Sequence, residues 1–498
     1  MRIFQRKKIR EIDEFCIKAL NIPEIVLMEN AALKILKNID LNSFNSFVIV
    51  CGNGNNGGDG LALGRHLINN GKDVTIFLIS VGTNLSLAGQ INLNILNSLK
   101  AKIILLKNEK DLEIFKDILL ESQFTVDCIF GTGLSRNLEG IYEKSITYIN
   151  NYSKYILSID VPSGFDCDTG DILGNAVKAN KTVTLQVYKE GFLRKGAKEY
   201  TGEIIVEDIG IPSIALNEFD SKEYLIDKAY IKSIIKKRDK YGHKGNYGNV
   251  LIIAGSKGFA GAAYLAAKGT IRAGAGLVKV ATSNDVLEIL AAKLTEAILI
   301  DYSREIGLKD AIERSDVIAF GPGIGNNDKS LELFQKVLET SDKPLVIDAD
   351  GLNLLSKNID LIKNYKGRII ITPHPLEMER LTGFHRNYIN ENRIAVSKKF
   401  AKDNGVIVLL KGYNTVITDG DYLWVNTTGS SAMASSGMGD ALTGIIASFI
   451  GQGYDIMEGA ILAAYLHGYV GDLLSKEMFT VTATDLVEML PKAIMDFF

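Results

Sequence analysis

Short apolar runs that end in glycine recur along the chain, and between them apolar residues return every three or four positions. In the first forty residues Ile9, Ile12, Phe15, Ile17 and Leu20 follow the helical interval. Strands are then expected at Phe47–Cys51, Val74–Ile79 and Lys102–Leu106, with helices at Gly58–Asn69 and Ser86–Leu99 between them. Further strands are expected at Phe124–Phe130, Tyr155–Ile159, Thr182–Gln186 and Thr201–Glu207. Strand and helix in alternation predict a mostly parallel sheet covered on both faces, a doubly wound α/β domain. From Ile211 to about Gly248 the pattern lapses into a polar stretch, which places a boundary near residue 222 and two domains at 1–221 and 222–498. The cluster Lys236, Lys237, Arg238, Asp239 and Lys240 in that stretch is short and includes an acid, so it reads as a solvated helix end. Alternation resumes at Val250–Ala254 and continues through Val317–Phe320, Leu345–Asp348, Arg368–Thr372 and Val406–Lys411 to a long helical region from Ala441.

A length of 498 residues favours two or three domains, and two large α/β domains suffice. The net charge of -3, with both signs mixed throughout, excludes an electrostatic footprint for nucleic acid or an anionic membrane. No apolar run approaches the roughly 18 residues that span a bilayer. Met1 to Glu14 is rich in charge and does not read as a secretory signal, so a cytoplasmic protein is expected. The 4 cysteines have no CxxC or His-paired spacing, which argues for reduced, partly buried thiols and against zinc.

After the strand ending at Cys51 comes GNGNNGGDG, in which Gly52, Gly54 and Gly57 fit a dinucleotide fingerprint between strand and helix. Such a loop lets backbone approach a phosphate, and the helix N-terminus offers unpaired N–H groups. A conventional NAD site needs an acid about 20 residues onward to hold the ribose. The second strand here runs out as Ile79, Ser80, Val81, Gly82, so the loop is not that of a dehydrogenase. Asp59 either complements the helix dipole or, with Asn55 and Asn56, meets ligand hydroxyls. Two more loops, Asp127 to Asn137 and Asp160 to Gly170, follow strands on the same expected sheet edge. Oxygen atoms of Asn56, Asp127 and Ser163 suit a hard cation, and a single full charge favours a monovalent one.

LMENAA at Leu27 to Ala32, GNGNNGGDG, FGTG and DVPSGFDCDTG resemble the NAD(P)H-hydrate epimerase domain, a Rossmann-like fold. The resemblance implies substrate contacts at Asn55, Asn56, Gly57, Gly58 and Asp59, and at Gly131, Thr132, Gly133, Leu134, Ser135, Arg136 and Asn137. It also implies a potassium site at Asn56, Asp127 and Ser163, and Asp160 at the substrate as general acid/base. Otherwise Asp160 is a strand-end turn carboxylate before Pro162.

The second half carries GSKGFAGAAYLAAKGTIRAGAGLV from Gly255, FGPGIG from Phe320, DADGLN from Asp348, TPHP from Thr372, KGYNT from Lys411 and SSGMGDALTG from Ser435. Gly437, Met438 and Gly439 precede an apolar helix, so their amides would form an anion hole for a transferring phosphoryl group. Asp440 stands where it would draw a proton from a substrate hydroxyl, or merely caps the helix. In order and at strand ends, these motifs resemble the ADP- or ATP-dependent NAD(P)H-hydrate dehydratases, which are ribokinase-like. The resemblance implies Lys411, Gly412, Tyr413, Asn414, Thr415 and Gly439 at the nucleotide, and Ala262, Gly323, His374 and Asp440 at the hydrated dinucleotide. Mg2+ is expected with the nucleotide, and Asp348 and Asp350 are weaker candidates for metal or ribose. His374 is otherwise a loop-packing histidine. Leu376 stands where the family usually has glycine, and Ser436 where it has glycine or another small residue, departures that bear on fine substrate fit rather than on the reaction.

Together the halves resemble a bifunctional NAD(P)H-hydrate repair enzyme over nearly the whole chain. That implies epimerisation of hydrated NADH and NADPH, followed by dehydration driven by ADP, favoured over ATP, in a protein that self-associates. Two alternatives stay open. One is a small-molecule kinase with the first half as a regulatory module, and the other makes that half a non-catalytic dinucleotide sensor.

Overall fold

The computed structural model describes residues 1–79 and 85–498. The chain divides into two compact units, Met1–Glu223 and Tyr224–Phe498.

The first unit has strands β1 (Ile3–Phe4), β2 (Ser46–Cys51), β3 (Asp73–Ile79), β4 (Lys102–Leu106), β5 (Phe124–Cys128), β6 (Ile156–Ile159), β7 (Lys181–Leu185), β8 (Tyr188–Lys189) and β9 (Glu203–Glu207). Seven of them form one sheet in the order β4-β3-β2-β5-β6-β7-β9, every pair parallel. Both faces are packed, which explains why the central strands are apolar without alternation: Phe47 to Cys51 are all within 1% of full burial. The order reverses between β2 and β5, and a crevice opens there at the strand ends. β1 pairs with β8 in a separate two-stranded sheet, Ile3 opposite Tyr188 and Phe4 opposite Lys189, and so anchors the helix Arg6–Lys18.

The expected strands fall where the apolar runs place them, with ends that shift by at most two residues. The helix after the glycine loop begins at Asn55, three residues before the expected start, so Gly57, Gly58 and Gly60 lie inside it. A Cβ on Gly57 would come within 2.0 Å of the Gly52 carbonyl oxygen, and one on Gly60 within 2.1 Å of the Cys128 sulfur. These glycines set helix against loop and sheet rather than opening a flexible turn. The acid-free end of the second strand falls partly on residues 80–84, outside the described residues.

The second unit contains β10 (Glu223–Leu225), β11 (Asn249–Ile253), β12 (Leu277–Thr282), β13 (Ala297–Asp301), β14 (Val317–Phe320), β15 (Leu345–Ile347), β16 (Ile369–Ile371), β17 (Ile407–Leu410), β18 (Thr415–Thr418) and β19 (Leu423–Asn426). They form one sheet in the order β10-β19-β18-β17-β16-β15-β14-β11-β12-β13. The pairs from β13 to β17 are parallel, whereas β17-β18-β19 is antiparallel. The polar stretch after Ile211 is less empty than its pattern suggests, since it holds β10 and the helix Lys228–Ile234. The C-terminal helical region is three helices, Met438–Gly451, Ile456–Leu474 and Ala483–Ile494. The first of these lies against Ala260–Arg272 at close range. A Cβ on Gly444 would fall 1.9 Å from the Ala266 carbonyl oxygen, so only glycine permits that approach. No described helix is long and apolar enough to cross a membrane.

Candidate functional sites

In the first unit a cleft of about 1360 Å³ lies at the carboxyl edge of the sheet. Asn53–Asn56 and Asp59 come to it from the glycine loop, Ile129–Leu134 and Arg136 from the loop after β5, Asp160 from the end of β6, and Gln186 and Lys189 from beyond β7. The helix Arg6–Lys18 adds Arg10 and Asp13, and the helix Glu24–Lys37 adds Glu24, Leu27 and Met28.

Most of the epimerase-type residues meet here, and five do not. Gly57, Gly58 and Ser135 are absent from the cleft wall; Gly58 packs on Met28, whose Cε would lie 2.4 Å from a Cβ at that position. Asn56 is buried with both amide atoms unpartnered, whereas Asn55 Nδ2 donates to Glu24 Oε1 at 2.6 Å. Asp127 and Ser163 sit just behind the wall, joined by a 2.5 Å hydrogen bond from the hydroxyl to Oδ1. Asp127 Oδ2 also accepts from Ser158 Oγ and the Ser163 amide, both at 2.8 Å. Burial nevertheless outweighs these bonds and holds the Asp127 carboxyl above its usual range.

Asp160 has φ +65, a left-handed backbone that Asp tolerates better than most residues. Lys189 Nζ lies 2.6 Å from its Oδ1, and Leu185 N and Thr184 Oγ1 donate to the same oxygen at 3.2 and 3.3 Å. The Lys189 ammonium is also held by the Leu185 and Val187 carbonyls at 2.9 and 3.2 Å. Around this pair stand further carboxyls. Burial, then repulsion from Asp160, pushes Asp13 up to about 6, and the same causes push Asp59 well above its ordinary value. Neither Asp13 nor Lys189 is signalled by a motif. The spacing of Lys189 just past a strand end was the one available sign.

In the second unit the strand-end loops gather around the first turn of Met438–Gly451. Gly437 caps that helix at φ +87, and Asp440 lies in its first turn. Asp348, 1% exposed, accepts from Lys411 Nζ at 2.6 Å on one oxygen and from Thr443 Oγ1 at 2.6 Å on the other. A Cβ on Gly439 would lie 3.2 Å from Lys411 Nζ, so glycine lets the helix terminus reach this ion pair. Burial and then repulsion from Asp348 raise Asp440 to about 6, with Lys411 pulling the other way. Burial alone would push the Lys411 ammonium down, but Asp348 and Glu377 outweigh it and hold it up. Glu377 is itself pushed up by burial.

His374 caps the helix Pro375–Thr382: its Nδ1 accepts from the Leu376 and Glu377 amides at 3.1 and 3.2 Å, and Glu377 Oε2 accepts from the His374 amide at 2.7 Å. Burial and the nearby Lys411 lower its pKa. Ala262 and Gly323 adjoin each other, a Cβ on Gly323 falling 3.0 Å from that of Ala262. Lys411–Thr415 is the turn from β17 to β18, with Gly412 at φ +135 and Asn414 at φ +53. Arg393, missed from the sequence, lies beneath that turn and donates to the Leu410 and Lys411 carbonyls at 2.7 and 3.1 Å. His467, also missed, is held neutral by burial, its pKa down to about 4, with Nε2 3.2 Å from the Met438 carbonyl.

Both halves match known families. A family model described as NAD(P)H-hydrate dehydratase matches residues 250–492, and one described as YjeF-related protein N-terminus matches residues 24–191. The bifunctional NAD(P)H-hydrate repair enzyme of Moorella thermoacetica is 36% identical, covering 99% of this chain and 96% of that protein. The enzyme of the same name from Escherichia coli is 31% identical over 90% of this chain and 85% of its own length. A ribokinase-like superfamily protein from Enterococcus faecalis superposes with a TM-score of 0.53 at 28% identity, covering 55% of this chain and 96% of that one. With relatives this similar along its whole length, the chain belongs to the bifunctional NAD(P)H-hydrate repair enzymes.

Proposed function

We propose that the first unit interconverts the two configurations of hydrated NADH and NADPH, and that the second dehydrates the S form using ADP in preference to ATP. The observation that carries this reading is that one chain joins the Asp160 cleft to the Asp440 helix terminus.

In the cleft, Asn55, Asn56, Asp59 and the loop Gly131–Asn137 hold the dinucleotide, and Asp160 is the acid/base group for the oxygen that leaves and returns at the hydrated carbon. The unpartnered Asn56 amide and the buried Asp127, which has no cationic partner among the described residues, suit a monovalent cation. Potassium held by Asn56, Asp127 and Ser163 would compensate that carboxylate and fix the loop after β5.

In the second unit, Ala262, Gly323, His374 and Asp440 face the hydrate, while Lys411–Thr415 and Gly439 face the nucleotide. Asp440 takes the proton of the hydrate hydroxyl, whose oxygen then attacks the terminal phosphoryl group of ADP and releases AMP. Phosphate subsequently departs with its bonding electrons, a proton leaves the neighbouring carbon, and the ring double bond is restored. The helix amides at Met438 and Gly439 stabilise the transferring charge. Asp348 is committed to Lys411 and Thr443, and Asp350 Oδ2 accepts from the Gly325 amide at 2.9 Å. No cluster of three metal-ligating side chains occurs among the described residues. Mg2+ therefore fits as a companion of the nucleotide phosphates rather than in a protein cage. A cytoplasmic, self-associating protein completes the proposal.

The test is incubation of the full chain with mixed hydrate epimers and ADP, following reduced-nicotinamide absorbance. Full recovery with stoichiometric inorganic phosphate supports two working sites. Recovery that stops at one epimer removes the epimerase assignment, and an accumulating phosphorylated product would make the second unit a kinase.

A further inference from the structure

Inversion at the hydrated carbon asks more of the first cleft than one aspartate supplies. That carbon bears the ring nitrogen and the hydroxyl. A proton given to the hydroxyl lets it leave as water while the nitrogen lone pair closes a C=N bond. Water then adds to the opposite face, the C=N electrons return to nitrogen, and the new hydroxyl's extra proton goes to a base. The departing and arriving oxygens lie on opposite faces, so a fixed group that serves one is badly placed for the other.

We propose that Asp13 is a second catalytic acid–base group of the epimerising cleft, giving a proton to the leaving hydroxyl while Asp160 takes one from the arriving water. This rests on the epimerase reading above. Asp13 reaches the cleft from the helix Arg6–Lys18, on the far side of the sequence from β6, because the β1–β8 bridge docks that helix beside Lys189. The two carboxyls sit in different company. Lys189 is ion-paired to Asp160 at 2.6 Å, whereas Asp13 has no hydrogen-bond or ion-pair partner among the described residues.

The charged groups that act on Asp13 come from four elements besides its own: Asp160 after β6, Lys189 in β8, Glu24 on Glu24–Lys37 and Asp59 on Asn55–Asn69. Arg10 on its own helix and Arg136 after β5 also line the cleft, and Cys16 on its own helix is buried with its thiol raised. Among the half-buried and buried groups, Lys189 is one cation facing several carboxyls, so a proton is retained there. Burial and the nearby Asp160 favour the neutral acid on Asp13, up to about 6, and on Asp59. One turnover exchanges the protonation states of Asp13 and Asp160. Atoms and electrons balance, and the cleft is left primed for the reverse inversion until solvent resets it.

The experiment is Asp13→Asn in the full chain, with R-to-S conversion followed by chromatography at pH 6 and 7 after subtraction of the uncatalysed rate. Epimerisation is expected to fall about 100-fold or more, with affinity for the hydrate within about threefold of the parent. Activity retained within threefold overturns the proposal. If the variant does not bind hydrate, the parent's pH profile decides: its rate is expected to fall on the alkaline side with a midpoint at or above about 6, and a flat profile from about pH 5 to 8 overturns the role. A parent protein that does not epimerise at all sinks the epimerase reading itself.

Discussion

Lys189 Nζ lies 2.6 Å from Asp160 Oδ1, and the lysine is 1% exposed. A lysine this deep is stable as a cation only because the carboxylate and two backbone carbonyls replace its lost water. Replacing it by Met leaves Asp160 facing Asp13 and Asp59 with no counter-charge. Lys189→Met is expected to destabilise the first unit by about 3–5 kcal/mol, the usual loss when one partner of a buried pair is removed. Urea denaturation measures this. The double variant Lys189→Met with Asp160→Asn should recover part of the loss, because the orphaned charge is then gone. A double variant no more stable than the single one would show that Lys189 acts through packing alone.

The glycine loops and strand ends were legible because each joins a short apolar run to residues that permit close backbone approach. The chemistry between them was legible only where a motif carried it. Asp160 is framed by Pro, Ser and Gly in the turn that follows β6, and Asp440 by Ser and Gly at the start of the helix Met438–Gly451. Asp13 instead sits in RKKIREIDEFCIK, where an acid looks like any solvated position of an amphipathic helix. The β1–β8 pairing, with Phe4 opposite Lys189, helps bring that helix to the cleft, and a two-residue bridge leaves no periodic trace. The hairpin β18–β19 escaped for a related reason. Its strands are four residues each, too short for alternation to stand out, and the turn that starts it depends on positive φ at Gly412 and Asn414.

The glycines of the first loop differ in what they allow. A Cβ at Gly57 would fall 2.0 Å from the Gly52 carbonyl oxygen, which belongs to the backbone and cannot swing aside. Gly57→Ala is expected to shift the start of Asn55–Asn69, cost about 1–3 kcal/mol as overpacking does, and lower epimerisation at least tenfold. Gly54 caps the same helix at φ -83 with nothing within 4 Å of its Cβ position. Gly54→Ala should lose under about 1 kcal/mol. Thermal unfolding and epimer assays on the two variants separate them, and equal behaviour would contradict the packing role given to Gly57.

Lys411 holds a comparable place in the second unit. It bonds Asp348 at 2.6 Å, and Thr443 supplies that carboxylate's other hydrogen bond. Lys411→Met strands a carboxylate that is 1% exposed, so a loss of about 3–5 kcal/mol is expected, together with weakened ADP binding. Calorimetric titration with ADP and denaturation of the same sample test both parts. Unchanged ADP affinity would place the nucleotide away from this lysine.

Asp440 gives the prediction in which activity and stability part company. Burial and Asp348 raise it from 3.8 to about 6 in the folded protein. Below pH 3.8 both folded and unfolded forms carry the proton, and the group contributes no pH dependence. Between 3.8 and about 6 the folded form binds more proton than the unfolded one, so stability falls as pH rises through that window. Above it the full penalty is present, on the order of 3 kcal/mol for a displacement of about two pH units. Asp440→Asn removes the charge and is expected to raise neutral-pH stability by about 1–3 kcal/mol, while dehydration falls about 100-fold or more for want of a base. The parent's dehydration rate should rise with pH through about 6 and then level, since only the ionised carboxylate accepts the hydroxyl proton. Denaturant midpoints at pH 5 and 7.5, beside the pH–rate profile, check each part. A variant that dehydrates normally, or a parent rate that declines through this window, would remove Asp440 as the base.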